Sequence, residues 1–327
     1  MVVNWNRKEL LRACLESLRR QSGVTFETIV VDNGSTDGSP DLARDLGATV
    51  LRNSTNRGFC AANNQGIAAA RGDFIALLNN DAEAEPGWLA ALHRACAGAA
   101  DIGMAASKVL VWEDPTRIDK VGHLIFPDGQ NRGRGAGAID RGQFDRPEEV
   151  LWPDGCAAMY RKSMLDAIGG FDEDFFAYGD DAELGLRARI AGWRCLYTPD
   201  AVVRHHRGST MGKGSAARLE LIERNRVLLA LKLFPWSLLL LNPFFFAVRL
   251  AAGAAMAGRH AGDTAHFPGW AGKFAMARAL VRADLQALRL APKILRKRAS
   301  IAAIRKLSPA AVRRLIWSNR LSLREVA

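Results

Sequence analysis

The chain has 327 residues, nearly half hydrophobic and about a quarter charged, which is typical of a folded protein and excludes a disordered one. Its five cysteines are scattered and form no CxxC pair, which excludes a disulfide framework or cysteine zinc site and predicts reduced thiols in the cytosol. Residues 1–212 carry 24 Lys and Arg against 29 Asp and Glu, whereas residues 213–327 carry 21 against 5. The basic C-terminal part therefore favours an anionic partner, either lipid headgroups or nucleic acid.

The first hundred residues alternate short apolar runs with helical patterns. The chain opens on a strand pattern rather than a signal peptide. The strand patterns lie at residues 2–3, 28–31, 48–51 and 74–78, and helical patterns follow at 11–18, from Ser39-Pro40 and at 60–70. Such repeats predict an α/β fold with a mostly parallel sheet covered by helices on both faces.

The pattern weakens between residues 108 and 151, where Gly, Asp and Arg are frequent. Two interpretations stay open for this segment, a mobile loop over a ligand crevice or a plain surface excursion. Beyond it, one helix is predicted to end at the Gly169-Gly170 pair and another to run over residues 181–191. Two short strands are predicted at 195–197 and 201–203.

The residues beyond 215 are helical in pattern. Residues 233–248 are uncharged, but 16 residues fall short of the ~20 that a spanning helix needs, and Pro235 and Pro243 interrupt them. If Arg249 snorkels, the apolar stretch extends to residue 258. With the basic clusters that follow, this favours a helical region that lies on an anionic membrane surface, ahead of a spanning segment or a helical pair packed on the preceding domain.

The first polar cluster follows the second strand pattern. Asp32 ends that strand, and Asn33 and Ser35 lie in the turn after it. Asp32 could accept hydrogen bonds from a base or a ribose, or could only cap the turn. Arg57 and Gly58 precede the alanine-rich helix, where an arginine could bind a diphosphate or lie in solvent. The lack of a GxGxxG motif argues against a dinucleotide site.

A second cluster, Asn79, Asn80 and Asp81, follows the fourth strand pattern. Ligands of open α/β sheets bind at this edge, and one carboxylate is enough for Mg²⁺ or Mn²⁺, which completes its shell with phosphate and water. The alternative is a polar turn that caps the next helix. His205 follows the last strand pattern and could be a second metal ligand or a structural histidine.

Asp180 and Asp181 stand side by side at a predicted helix start. The helix N-terminus stabilises both charges, while their mutual repulsion raises one pKa, which suits a general base. The alternative is that Asp180 and Asp181 are acidic residues of the kind that commonly occur at helix N-termini, without a catalytic role.

Taken in order, these motifs resemble family 2 glycosyltransferases of the GT-A fold, and above all the bacterial branch of rhamnosyl- and galactofuranosyltransferases. The resemblance spans residues 1 to about 232, through residues 2–6, 30–39, 56–59, 77–81, 169–176, 178–187, 191–194, 199–205 and 224–225. It implies a Rossmann-like catalytic domain over residues 1–215, with a nucleotide-binding half at about 1–107 and an acceptor-binding half at about 108–215. Residues 216–327 then form the C-terminal helical region, with the apolar segment 233–258 and a basic tail.

The resemblance also implies residue roles. Asp181 is the catalytic base, with Asp180 in place of the usual glutamate, and Asp81 and His205 hold a divalent cation, Mg²⁺ or Mn²⁺. Asn79 replaces the first aspartate of the DxD motif, which leaves fewer anionic ligands. Nucleotide-sugar binding is implied for Asn4, Asn6, Asp32, Asn33, Ser35, Arg57, Gly58, Asn79 and Asn80. Acceptor binding is implied for Trp152, Gly155, Cys156, Tyr178 and Glu183.

The expected activity is inverting transfer of a sugar from a nucleotide-diphosphate sugar, with dTDP-rhamnose ahead of a UDP-sugar. The expected acceptor is a saccharide or lipid-linked saccharide of cell-envelope polysaccharide, at the inner face of a bacterial plasma membrane. Nucleic acid is not an expected partner, because only Trp317 is aromatic after residue 274. A nucleotidyltransferase, which would need a phosphate clamp beyond Arg57, and a non-enzymatic polyanion- or membrane-binding protein are the alternatives.

Overall fold

The computed structural model describes residues 1–206, 215–257 and 269–326. The chain divides into two compact units, Met1–His123 with Gly133–Arg207, and Leu124–Arg132 with Gly208–Ala327. The second unit therefore takes a short segment from the middle of the chain, which no sequence pattern indicated.

The first unit opens with a parallel three-stranded sheet in the order β1–β2–β3, with Val2 opposite Val30 and Ile29 opposite Thr49. Helix α1 buries its apolar face, as its spacing predicts. The elements are β1 Val2–Asn4, α1 Lys8–Arg19, β2 Ile29–Asp32, α2 Ser39–Asp45, β3 Thr49–Arg52 and α3 Gly58–Ala69. The predicted strand–helix repeat is confirmed here.

The larger sheet is mixed, in the order β10–β12–β6–β11–β4, with β5 beside β12 and β7 beside β6. Only β12 and β6 run parallel, so the expectation of a mostly parallel sheet holds for the first sheet alone. Only β6 and β7 are consecutive strands joined by a short connection, whereas the other antiparallel neighbours are far apart in the chain. The elements are β4 Phe74–Leu78, β5 Ala82–Ala84, α4 Trp88–Ala97, β6 Ile102–Val111, β7 Ile118–Lys120, β8 His123–Ile125, β9 Asn131–Gly133, β10 Glu148–Val150, β11 Ala157–Arg161, α5 Lys162–Ile168, a 3₁₀ turn Glu173–Phe175, α6 Asp180–Ile190 and β12 Arg194–His205.

The segment at 108–151 is neither a mobile loop nor a plain excursion, because it contributes to β6 and contains β7 to β10. Their three-residue strands are too short to show a period of two. The two strands predicted at 195–197 and 201–203 are one strand, β12, with an irregularity between Thr198 and Val202.

Strands β1 and β4 connect the two sheets. The Met1 amino group donates to the Ala76 carbonyl at 2.8 Å, and the Leu78 amide donates to the Met1 carbonyl at 3.1 Å. The carboxyl ends of β1, β2 and β4 therefore lie at one edge. The polar clusters after β2 and β4 meet there.

The second unit is helical, as predicted for the residues that the structure describes. Its helices are α7 Ala216–Leu233, α8 Trp236–Leu239, α9 Asn242–Ala257, α10 Gly269–Ile304, α11 Pro309–Ser318 and α12 Leu323–Val326. Residue 258, the predicted end of the apolar segment, lies outside the described residues. None of the described helices combines the length and the apolar character needed to cross a bilayer.

Arg249 does not snorkel from the apolar segment. Its guanidinium lies 2.6 Å from the Asp128 carboxylate and 2.8 Å from the Glu223 carboxylate, and its side chain is 11% exposed. Arg226 contacts Glu223 at 2.9 Å and lies over the Phe246 ring at 4.5 Å. The prediction of a continuous apolar stretch to residue 258 is wrong, because α9 turns this cation towards a buried ion-pair network.

That network predicts a pH-dependent contribution to stability. Burial alone would raise the pKa of Glu223, but the Arg249 and Arg226 guanidiniums outweigh it and lower that pKa. Stability from this group is therefore full above the ordinary glutamate pKa and is lost as the pH falls through the lowered value. Glu223→Gln should lower the free energy of unfolding by roughly 3 kcal/mol at pH 7.

The test measures urea unfolding of both proteins between pH 7 and pH 3. The difference in free energy of unfolding between Glu223→Gln and the unmodified chain should become smaller as the pH falls. Glu220→Gln is the matched control, because Glu220 lies on the same helix and binds the neutral amide of Gln286. We expect the control to change stability by less than about 0.5 kcal/mol. A difference that stays constant with pH would contradict the assignment.

Candidate active site

A hydrogen-bonded polar network forms the edge where β1, β2 and β4 end. The Asn80 amide donates to the Asn4 side-chain oxygen at 2.7 Å, and Asn4 lies 3.4 Å from the Asp32 carboxylate and 3.3 Å from the Ser35 hydroxyl. Asp32 also accepts from the Ser35 backbone amide at 2.9 Å. Four residues predicted to bind nucleotide-sugar are thereby brought together.

Burial separates the predicted nucleotide residues into two groups. Asn4, Asp32, Asn33 and Ser35 are at most 2% exposed, so they hold the backbone of the edge instead of presenting free surface to a ligand. For Asp32 the structure therefore favours the turn-capping interpretation. The remaining predicted residues with accessible surface are Asn6, Arg57, Asn79 and Asn80.

The turn after β2 is linked to the start of α3. The Asn33 side-chain amide donates to the Gly58 carbonyl at 3.2 Å, and Gly58 takes a φ of +84° that a larger residue would resist. Asn6 accepts from the Thr36 amide at 2.8 Å. Arg57 is exposed at the mouth of this turn, where its cation is accessible to an anionic ligand.

A strained loop directly before α6 is hydrogen-bonded to the start of α3. Phe176 and Tyr178 have φ values of +63° and +66°, which cost energy in residues other than glycine. The Phe176 carbonyl accepts from the Phe59 amide at 2.8 Å and the Cys60 amide at 3.2 Å. This loop therefore fixes the start of α6, and with it Asp180, against the first turn of α3.

Asp181 lies in a cluster of charged side chains at the start of α6. Its carboxylate is 13% exposed, accepts from the Gly155 amide at 3.3 Å, and lies 3.7 Å from Nε2 of His123. His123 lies 2.8 Å from the Asp154 carboxylate, which the Lys120 ammonium also contacts at 2.9 Å. Sequence reasoning found Asp181 and Gly155 but missed the other three residues.

The environment distinguishes Asp180 from Asp181. Burial raises the pKa of Asp181; the His123 imidazole opposes this shift and the Asp154 carboxylate adds to it. Burial, followed by the charge of Asp181, raises the pKa of Asp180 well above its usual range. Asp180 therefore holds its proton when Asp181 is ionised, and Asp181 is the member of the pair that can accept a proton.

The predicted metal ligands also lie together. Nε2 of His205 is 3.4 Å from the Asp81 carboxylate, and Nδ1 is 2.8 Å from the carboxylate of Asp119. Burial disfavours the His205 imidazolium, but Cys156 and the two carboxylates raise its pKa well above the usual value. A neutral His205 oriented by Asp119 could hold a divalent cation together with Asp81 and phosphate oxygens, so the metal role of Asp81 and His205 stays a prediction.

A second group could also bind a cation. One ligand atom each from His123, Asp154 and Asp181 lie within 4.8 Å of one another. The Lys120 ammonium already contacts Asp154 and supplies positive charge there. The arrangement therefore favours a charge-balanced network around Asp181 over a second metal centre.

Three of the predicted acceptor residues are buried. Trp152 has no exposed surface and stacks on His123 with ring centroids 6.0 Å apart, and Cys156 is 3% exposed. Glu183 has no exposed surface and pairs with Arg187 at 2.7 Å. Their side chains pack behind the surface of this structure, and acceptor binding by these three stays a prediction. The Gly155 amide donates to Asp181 and Tyr178 is partly exposed in the loop before α6, and the acceptor roles of both stay predictions.

Comparison with known proteins identifies the family. The family model described as Glycosyl transferase family 2 matches residues 1–169, more than half of the chain. The chain belongs to glycosyl transferase family 2. The model of Glycosyl transferase family group 2 matches residues 137–258 of this glycosyltransferase. Family membership sets aside a nucleotidyltransferase and a non-enzymatic protein.

Curated relatives of this family 2 glycosyltransferase include transferases of Mycobacterium tuberculosis. N-acetylglucosaminyl-diphospho-decaprenol L-rhamnosyltransferase is 29% identical over 242 residues, which cover 67% of this chain and 79% of the relative. Pre-mycofactocin glycosyltransferase is 29% identical over 209 residues, 61% of this chain and 40% of the relative. The predicted likeness to rhamnosyltransferases is confirmed.

Solved structures show the same fold. GalNAc-T7 with UDP, GalNAc and Mn²⁺ matches with a TM-score of 0.62 and 15% identity over 76% of this glycosyltransferase and 49% of the GalNAc-T7 chain. The mannosyltransferase PcManGT from Pyrobaculum calidifontis, in complex with GDP-Man and Mn²⁺, matches with a TM-score of 0.54 and 20% identity over 93% and 84%. The predicted GT-A fold is confirmed.

Proposed function

We propose that this glycosyltransferase moves rhamnose from dTDP-rhamnose to a lipid-linked saccharide acceptor with inversion at the anomeric carbon. A UDP-sugar is the second candidate donor. The observation that carries the proposal is Asp181, a partly exposed carboxylate with a raised pKa at the start of α6. The name of the 29% identical rhamnosyltransferase supports the donor sugar and the lipid-linked acceptor.

In the proposed reaction, Asp181 accepts the proton of the acceptor hydroxyl. That oxygen bonds to the anomeric carbon from the face opposite the diphosphate, as the bond from this carbon to the diphosphate oxygen breaks. General-base assistance of this kind contributes typically 10²- to 10⁴-fold. The Gly155 amide and His123 hold the carboxylate in place, so the base is oriented before the acceptor arrives.

Asp81 and His205 would hold the divalent cation, whose charge, when it is bound, would stabilise the departing diphosphate. Arg57 supplies a protein cation for the same group. The amides of Phe59 and Cys60 at the start of α3 already donate to Phe176, so Arg57 is better placed for an anion than the helix terminus itself.

The proposed place of action is the inner face of a bacterial plasma membrane, in synthesis of cell-envelope polysaccharide. A lipid-linked acceptor is presented at a membrane surface. The excess of 21 basic over 5 acidic residues beyond residue 212 would attract the enzyme to anionic lipid.

A thermal-shift panel tests the donor class. dTDP, UDP, GDP, CDP and NAD are each added with and without Mn²⁺. We expect the largest Mn²⁺-dependent rise in Tm with dTDP and a smaller one with UDP, since a ligand at about 100 times its Kd stabilises by about 2.7 kcal/mol. NAD is the control and should give no rise.

Transfer is then followed with dTDP-rhamnose and a short-chain polyprenyl-diphosphate sugar. Formation of a rhamnosylated product would support the full proposal. A folded protein that responds to none of the nucleotides would contradict it. A largest response to GDP or CDP would overturn the donor assignment.

A further inference from the structure

Helix α10 has a second apolar face that none of the described residues of the second unit covers. Its packed face buries small and branched residues, Ala279, Ala283, Ala287, Ile294 and Ile301. The other apolar residues are exposed and form what we call the α10 stripe: Trp270 (89%), Phe274 (71%), Val281 (59%), Leu285 (51%), Leu288 (69%) and Leu295 (39%). An exposed apolar surface of this extent indicates an interaction site.

The α10 stripe is continuous along the helix. At 100° per residue, its six positions fall within about 80° of arc, and they span about 38 Å at a rise of 1.5 Å per residue. The packed face lies on the opposite side. A helix at the surface of a folded protein normally has one apolar face, which packs on the core. Because α10 has a second apolar face, that face is suited to contact another apolar surface.

Positive charge runs beside the stripe. Helix α10 contains eight Lys and Arg against the single acid Asp284. Four exposed arginines repeat at intervals of four and seven residues along one flank: Arg278, Arg282, Arg289 and Arg296. Lys273 lies on the other flank, beside Trp270. An apolar stripe with basic flanks and aromatic residues at one end is typical of a helix that lies in a membrane interface.

We propose that the α10 stripe is the membrane-binding surface of this glycosyltransferase, seated at the boundary of headgroups and acyl chains in an anionic bilayer. Self-association through the stripe would bring the arginine flanks of two copies together, and juxtaposed like charges oppose binding. Anionic headgroups instead complement those flanks. The use of this surface to reach a lipid-linked acceptor rests on the proposed function.

Part of the apolar segment 233–258 is unavailable as an anchor. Leu233, Phe234 and Leu238 are buried within the second unit, and Arg249 is held in its ion-pair network. Five large hydrophobic side chains of the segment remain exposed, so it is the rival surface that the test must separate from the α10 stripe: Trp236, Leu240, Leu241, Phe244 and Leu250. Leu240 and Leu241 are 79% and 53% exposed. Because these fractions resemble those of Leu288 and Leu285, the two leucine pairs form a matched comparison.

The test is sedimentation of the full chain with vesicles of phosphatidylcholine, with and without 30 mol% phosphatidylglycerol, in the absence of any sugar donor. We expect binding to the anionic vesicles to weaken with added salt. Leu285→Asp/Leu288→Asp should lower the partition coefficient by roughly tenfold or more. Leu240→Asp/Leu241→Asp should change it by less than about twofold.

Two further readouts, quenching by brominated lipid and oligomeric state, complete the test. Brominated lipid should quench the emission of the unmodified chain, and the quenched fraction should fall in Trp270→Phe. Equal loss of binding in both leucine variants, or loss only in the Leu240/Leu241 variant, would overturn the assignment to α10. Unchanged vesicle binding by the α10 variant, with conversion of a dimer to a monomer, would show that the stripe binds a second copy instead.

The dTDP thermal shift of each variant separates this inference from the proposed function. A variant that has lost vesicle binding should keep its nucleotide response, because the substitutions lie outside the residues of the candidate active site. Vesicle binding without any nucleotide response would contradict the proposed function and leave the membrane surface standing. If the Tm falls in both leucine variants, their loss of vesicle binding could come from a loss of stability. The quenching of Trp270 by brominated lipid then decides whether α10 contacts the bilayer.

Discussion

Replacing Asp181 with Asn is expected to lower the rate of sugar transfer by about 10³-fold, with little change in affinity for dTDP. The amide is nearly the same size as the carboxylate and still accepts a hydrogen bond from Gly155, so the fold of the site is kept. It does not accept the proton of an acceptor hydroxyl at neutral pH. The loss therefore reports the general-base contribution, which typically lies between 10²- and 10⁴-fold.

Asp180→Asn is the matched control. Burial and the charge of Asp181 raise the pKa of Asp180 and so favour its protonated form, which asparagine resembles in size and charge. We expect a loss of less than about tenfold. Single-turnover rates with dTDP-rhamnose, and dTDP affinities by calorimetry, are measured for both variants. Equal losses in the two variants, or a large fall in nucleotide affinity for Asp181→Asn, would show that Asp181 is not the base.

The sequence predicted the elements whose periodicity is long enough to recognise. Helix α1 and strands β2 and β4 occur where apolar spacing indicates them, and the polar residues after those strands meet at one edge. Asp81 and His205 are more than a hundred residues apart, yet they lie together in the structure. The position of each residue after a strand raised that pairing as one possibility, and the family resemblance favoured it, because no periodic pattern joins the end of β4 to the end of β12.

The residues around Asp181 were missed for a physical reason. Asp119 and Lys120 belong to β7 and His123 to β8, strands of three residues that show no alternation of apolar and polar side chains. In the sequence, a charged residue in such a segment cannot be told from an exposed surface residue. Only the pairing of the strands shows that it is buried. Asp154 would have been the easiest of these residues to predict, because it directly precedes Gly155, which the resemblance had placed at the acceptor.

Burial could not be predicted from polarity. Glu183 and Arg249 are charged residues that sequence reasoning placed at an acceptor and in solvent, and each is buried against an opposite charge. Arg187 lies four residues after Glu183 on α6, so helical spacing allowed that pair to be found in the sequence. Glu223 lies on a different helix from Arg249, and only helix packing brings the two together. A buried ion pair is detectable only when both partners are placed.

Asp81→Ala is expected to weaken dTDP binding by about tenfold to hundredfold when Mn²⁺ is present and to leave metal-free binding nearly unchanged. The carboxylate of Asp81 lies against Nε2 of His205, so its loss removes one of the two proposed metal ligands. Asn79 stands where a further aspartate would supply charge, which makes the contribution of Asp81 larger. Loss of supporting groups in metal sites typically costs 10- to 100-fold in affinity.

The measurement is a linkage cycle, with dTDP affinity by calorimetry at zero and saturating Mn²⁺ for the unmodified chain and the variant. Asp73→Ala is the control, because Asp73 precedes the opposite end of β4 and is exposed. Binding linkage is reciprocal, so the factor by which Mn²⁺ tightens dTDP must equal the factor by which dTDP tightens Mn²⁺. If Asp81 holds the metal, both factors fall together in the variant and stay unchanged in the control. An undiminished Mn²⁺ effect in Asp81→Ala would remove Asp81 from the metal site, and a fall in metal-free affinity of the same size would assign it to nucleotide binding instead.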